Sequence, residues 1–156
     1  MKIIATLLTA TLLLTGCNVS FNSGSQQAGK SEPGTEAQQK LVANAADAFL
    51  RQLDSGDIDG TWSQSSPYLQ QLSSRAVWSA GIGAFRKTVG PFKSRKLKGI
   101  GFTHEVDGVP RGNYAAVAFD TTFSGATVEE KVVLHEDKGD WKVLGYFMSK
   151  SFKGQL

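Results

Sequence analysis

Leu41, Val42, Ala45, Ala46, Phe49, Leu50 and Leu53 recur at three- and four-residue spacing, which predicts an amphipathic helix with one apolar stripe. Thr35-Glu36-Ala37-Gln38 ahead of the stripe fits a capping box, and Ser55-Gly56 supplies the stop. Beyond it the apolar spacing shortens. Ile58 to Trp62 predicts a brief helix, with Asp57 and Asp59 as helix-start and turn residues. Ser66-Pro67 places a cap and a first-turn proline before Tyr68 to Leu72. Ser74 caps a longer helix bearing Val77, Trp78, Ile82, Phe85 and Val89, which Gly90-Pro91 ends. Gly81 and Gly83 inside that helix each cost about 1 kcal/mol relative to alanine. Close packing against a neighbour is one reason to keep them.

From Phe92 onward the period changes from helical to alternating. Lys93 to Val106, Asn113 to Phe123, Val128 to Asp137 and Asp140 to Ser149 read as four strands, separated by Asp107 to Gly112, Ser124-Gly125 and Lys138-Gly139. In the second strand Ala115, Val117, Phe119, Thr121 and Phe123 share one face. Tyr114, Ala116, Ala118, Asp120 and Thr122 form the wetter one. Short connections imply an antiparallel meander. Helices followed by strands predict an α+β domain, with N-terminal helices packed on a curved four-stranded antiparallel sheet. That layout resembles the NTF2-like and cystatin-like cones.

The first sixteen residues have a different texture. Met1-Lys2 is a positive start, and Ile3 to Leu14 is apolar apart from its threonines. A helix of that length spans only about 18 Å against a hydrocarbon core of roughly 30 Å, so it reads as a signal-peptide core rather than a membrane span. It ends in Leu14-Thr15-Gly16-Cys17, which holds the single cysteine of the chain. This ending resembles the bacterial lipobox, which implies cleavage between Gly16 and Cys17, diacylglycerol on the Cys17 sulfur and acylation, as by palmitate, of the new amino terminus. An odd cysteine in an exported chain needs an explanation, and lipidation provides one. A single acyl chain holds a protein only marginally, whereas two or more anchor it stably. By resemblance to Gram-negative lipoproteins, Asn18 in place of aspartate implies the outer membrane, with the domain facing the periplasm.

Residues 17–35, rich in Ser, Gly, Gln and Asn, read as a lipidated flexible tether with a reach of roughly 25 Å. The expected organisation is a lipoprotein signal peptide at 1–16, the tether at 17–35 and one α+β domain at 36–156. Forty per cent hydrophobic and twenty per cent charged residues suit a domain with a real core. Seventeen basic against fourteen acidic residues leave a formal charge of +3, too mild to argue for nucleic acid.

With the elements placed, residues 45–150 resemble a bacterial family known as domain of unknown function 4019. The likeness rests on AADAFLRQLDSGDIDGTW from Ala45, Trp78, GPFKSRKL from Gly90, GNYAAVAFDTTF from Gly112 and VEEKVVLHEDKGDWKVLGY ending at Tyr146. It implies an envelope domain and brings no catalytic residue with it.

Candidate chemistry is sparse. Cys17 is consumed by lipid. His104 and His135 lie in expected strands beside carboxylates that point to the opposite face. Two isolated histidines fit no zinc spacing, and Asp54, Asp57 and Asp59 lack the rest of a calcium loop, so no metal site and no cofactor is expected. Lys93, Arg95, Lys96 and Lys98, with Arg86 and Lys87 nearby, form a candidate basic patch for anionic lipid or an envelope protein partner. The bland alternative is a strand whose lysines discourage edge pairing. Trp62, Trp78, Phe119, Trp141 and Tyr146, with Phe85 and Phe123, are candidates for lining a pocket or for filling the core.

The leading expectation is a membrane-anchored envelope lipoprotein with a non-enzymatic interaction domain. A small-ligand carrier or sensor with an NTF2-like pocket is the alternative. An NTF2-like enzyme would require His104, His135, Asp120 or Glu130 to share a cleft.

Overall fold

The computed structural model describes residues 31–150, so the expected signal peptide, Cys17 and most of the expected tether lie outside the described residues. Four helices precede four strands: α1 Glu36–Asp54, α2 Ile58–Ser63, α3 Pro67–Leu72, α4 Arg75–Val89, then β1 Phe92–Thr103, β2 Tyr114–Phe123, β3 Thr127–Asp137 and β4 Asp140–Lys150. The strands form one antiparallel sheet in the order β1-β2-β3-β4. The fold is α+β, with the helices N-terminal to an open four-stranded sheet. No helix among the described residues is long and apolar enough to cross a membrane.

Local chemistry sets the helix starts. Thr35 and Gln38 complete the capping box of α1, Asp57 accepts from the Gly60 N–H at 2.9 Å, and Ser66 and Ser74 cap α3 and α4. Helix α1 buries Val42, Ala46, Phe49, Leu50 and Leu53 on Ala115, Val117, Phe119, Val132, Leu134 and Val143 of the sheet. The stripe is narrower than its sequence suggests. Leu41, in the second turn of α1, and Val77, in the first turn of α4, are largely exposed. Trp78 and Ile82 of α4 complete this core, and Val89, Phe123 and Val128 close a second, smaller one.

In β2 the odd positions from Ala115 to Phe123 are buried and the even ones from Ala116 to Thr122 are half-exposed. Tyr114 is the exception. It sits on the wetter face, yet it is buried, and its hydroxyl donates to the Pro110 carbonyl of the loop before β2. Register shifts in β1 between Leu97 and Gly99, and at Val133/Leu134 opposite β4, are bulges, which bend strands.

Two expectations need correction. Strand β1 ends at Thr103, so His104 lies in the loop after it rather than in a strand. The glycines of α4 are not there to admit a neighbour: a Cβ at Gly81 would meet nothing within 4 Å, and one at Gly83 only the Ile58 Cδ1 at 3.8 Å. At the other end, Glu32 and Gly34, read from sequence as tether, lie against Phe102 of β1. Glu32 N donates to the Phe102 carbonyl at 2.9 Å, and Phe102 N to the Glu32 carbonyl at 2.8 Å. Pro33-Gly34 then turns the chain into α1. Gly34 has φ +67°, and a Cβ there would collide with the Phe102 ring.

Candidate functional site

Asp54 ends α1, Arg86 lies in the last turn of α4, Arg95 is on β1 and Glu130 on β3; their side chains converge inside the domain. Glu130 is fully buried, at the apolar-face position between Val128 and Val132. Arg95 Nε donates to its Oε2 at 2.8 Å, and Thr121 and Tyr146 hydroxyls also donate to the carboxylate. Arg86 Nη2 reaches Oε1 at 3.3 Å. Asp54 takes Arg86 Nη1 at 2.6 Å and Arg95 Nη1 at 2.9 Å. Aromatic faces complete the setting, with the guanidinium of Arg86 5.0 Å from the Phe123 centroid and that of Arg95 4.6 Å from Phe92. Two anions and two cations therefore neutralise one another. Burial opposes the Arg95 charge, but hydrogen bonds to Asp54 and the Glu130 charge outweigh it and raise its pKa. Burial first, then the adjacent Glu130 charge, pushes the Tyr146 phenol far above its ordinary value, so it remains a donor.

This arrangement removes Arg95 from the surface patch expected of Lys93, Arg95, Lys96 and Lys98. Its side chain is only 6% exposed because residue 95 faces inward opposite Thr121. Lys93 and Lys96 are exposed, while Lys98 bonds to Glu129 and stands 3.8 Å from Asp120. That bond to Glu129 raises the Lys98 pKa.

The expected aromatic set divides in the same way. Trp78 and Phe119 are core residues, and Trp62 and Tyr146 pack against the core. Phe49 meets Trp78 at 6.2 Å and Tyr146 at 5.5 Å between ring centroids, and Trp62 meets Trp78 at 6.1 Å. The Trp78 indole N–H donates to the buried Thr61 hydroxyl at 3.1 Å. Phe123 lies in the second core, with Phe85 packed on it. Trp141 lines two clefts.

The larger cleft, about 210 Å³, lies between α1, α2 and β4, with Ala45, Phe49, Thr61, Gln64, Trp141 and Val143 among its walls. The smaller, about 110 Å³, lies under the start of α1, lined by Glu32, Gln38, Phe102, His104, Glu136 and Trp141 among others. Trp141 opposes Glu136 across β3 and β4, and its ring stands edge-on to Phe102 at 6.0 Å. Neither cleft was legible as a site from sequence. Trp141 was, but the partners that shape its surroundings come from the docking of α1 and of Glu32-Pro33-Gly34.

His104, His135, Asp120 and Glu130 are not brought together. His104 lines the smaller cleft, and Glu130 is in the core. Asp120 faces the opposite side of the sheet, opposite Lys96 and Glu129. His135 sits between the tilted rings of Tyr68, at 4.8 Å, and Tyr114, at 5.1 Å, with the Ser66 hydroxyl 3.3 Å from Nδ1.

Residues 45–146 match the family described as "Protein of unknown function (DUF4019)", and the chain belongs to that family. No match to a curated protein or to a solved structure was found.

Proposed function

We propose that this DUF4019 protein is an envelope lipoprotein, anchored through lipid on Cys17, whose α+β domain binds a partner or ligand rather than catalysing a reaction. The observation that carries the binding reading is the use made of the domain's converging ionisable side chains. Asp54, Arg86, Arg95 and Glu130 are the material from which acid–base chemistry would be assembled, and they are bonded to one another. A general acid or base has to reach substrate and exchange a proton with it. A carboxylate that is fully buried and holds two arginines, a threonine and a tyrosine is instead fixed in position, away from any substrate. The sequence ending Leu14-Thr15-Gly16-Cys17 supports the anchor, and an outer-membrane position facing the periplasm belongs to the same proposal.

An NTF2-like or cystatin-like cone is the finer fold assignment in this reading. It is supported by α1 lying on one face of a bulged antiparallel sheet. The clefts beside Trp141 favour a small-ligand carrier or sensor as the form that binding takes.

The test of anchoring is metabolic labelling of the full chain with a palmitate analogue, followed by fractionation. Label and membrane association are expected for the wild type, with both lost in Cys17→Ala. Equal labelling of the two proteins would overturn the anchor.

A further inference from the structure

The smaller cleft has walls of a particular kind. Its aromatic side is Phe102 and Trp141, held edge to face. Its polar side is rich in acceptors. Glu136 Oε2 takes the Asn113 amide at 2.7 Å, leaving Oε1 available. The Glu32 backbone is held on Phe102, and no ion pair engages its carboxylate or that of Glu136 among the described residues. His104 Nδ1 lies 3.2 Å from the Gly112 carbonyl, which can only accept, so Nδ1 donates there. Among the described residues no Lys or Arg lines the cleft, and Glu32 and Glu136 are the carboxylates on its rim, in a protein of net positive charge.

Acceptors and aromatic faces around a small volume complement a positive donor. The geometry points to this cleft as a binding site for a small organic amine, its primary ammonium head seated against Trp141 and Phe102 and hydrogen-bonded by Glu136 and Glu32. A volume of about 110 Å³ holds a head group of a few atoms and excludes a drug-sized ligand, which needs about 300 Å³ or more. An anionic ligand is disfavoured by both carboxylates, and a neutral one leaves them without a counter-charge. The hollow exists because Pro33-Gly34 folds the start of the domain over Phe102, where any Cβ at Gly34 would strike the ring. The site deepens the binding reading and rests on it, but not on the lipid anchor.

The experiment is an NMR titration of the full chain in detergent micelles with n-propylammonium, with 1-propanol as the neutral probe of matching shape. Indole N–H signals are read for Trp62, Trp78 and Trp141. Propylammonium is expected to shift Trp141 saturably while Trp62 and Trp78 stay in place, and 1-propanol is expected to leave all three unchanged. Glu136→Gln and Glu32→Gln keep the side-chain shape and remove the charge. Each is expected to weaken the affinity about tenfold or more, with unshifted Trp62 and Trp78 signals reporting an intact core. Equal shifts from the two probes, full affinity in both variants, shifts confined to Trp62 or Trp78, or no saturable shift would each overturn the site. Palmitate labelling at Cys17 is unaffected by any of these outcomes, so failure of the amine site and failure of the anchor are separable.

Discussion

Arg95 Nε donates to Glu130 Oε2 at 2.8 Å across the strand that separates them, tying β1 to β3 beneath the first helix. The pair is closed by Asp54 and Arg86 and is nearly dry, with Arg95 6% and Glu130 0% exposed. In such a place the desolvation cost and the attraction are both large, and removing one member leaves the others without compensation. Glu130→Leu is therefore expected to lower stability by about 3–5 kcal/mol. Chemical denaturation checks it, and a loss within a few tenths of zero would contradict the network's role.

A second polar contact inside the core has a different weakness. The Trp78 indole N–H has the Thr61 hydroxyl as its acceptor, and Thr61 itself donates to the Ile58 carbonyl. Thr61→Val keeps the shape and removes the acceptor. The expected cost is about 1–3 kcal/mol, the penalty for a buried donor left unsatisfied. Thermal or urea unfolding of the variant measures it.

Gly81 offers a change in the opposite direction. It lies within α4, is exposed, and a Cβ there would meet nothing within 4 Å. Gly81→Ala is expected to raise stability by about 0.5–1 kcal/mol, because alanine loses less backbone freedom on entering a helix. A higher denaturation midpoint with an unchanged slope is the signature.

His135 couples stability to pH. Burial between the two tyrosines depresses its pKa, against the opposing pull of Asp137 and Glu136, with Lys142 adding to the depression. The unfolded chain thus takes up this proton first as pH falls below about 6.5. The contribution is full above that value and declines beneath it until the folded ring titrates too. Denaturation midpoints at about pH 7.5 and about pH 5.5 should therefore differ less in His135→Phe than in the wild type.

Much of this fold is written in the chain's periodicity. The Thr35–Gln38 capping box and the alternation of β2 from Ala115 to Phe123 are local patterns that formed where their spacing placed them, and the α1 stripe formed without Leu41. The buried network was harder to read, because its members are far apart in sequence. The signal was present as charges on apolar faces: Glu130 between Val128 and Val132, and Arg86 one turn beyond Ile82. Arg95 was concealed by its neighbours, since Lys93, Lys96 and Lys98 make the stretch look like a solvated edge. The clefts at Trp141 depend on how α1 and Glu32 to Gly34 settle on the sheet, and no local pattern encodes that.

The most direct test of the account is the mass of the N-terminal tryptic peptide of the protein isolated from native membranes. Lipidation after cleavage gives a peptide beginning at Cys17 and ending at Lys30, carrying a diacylglyceryl group on sulfur and an acyl chain on the amino terminus. A peptide with unmodified Cys17 still joined to Gly16 would contradict it.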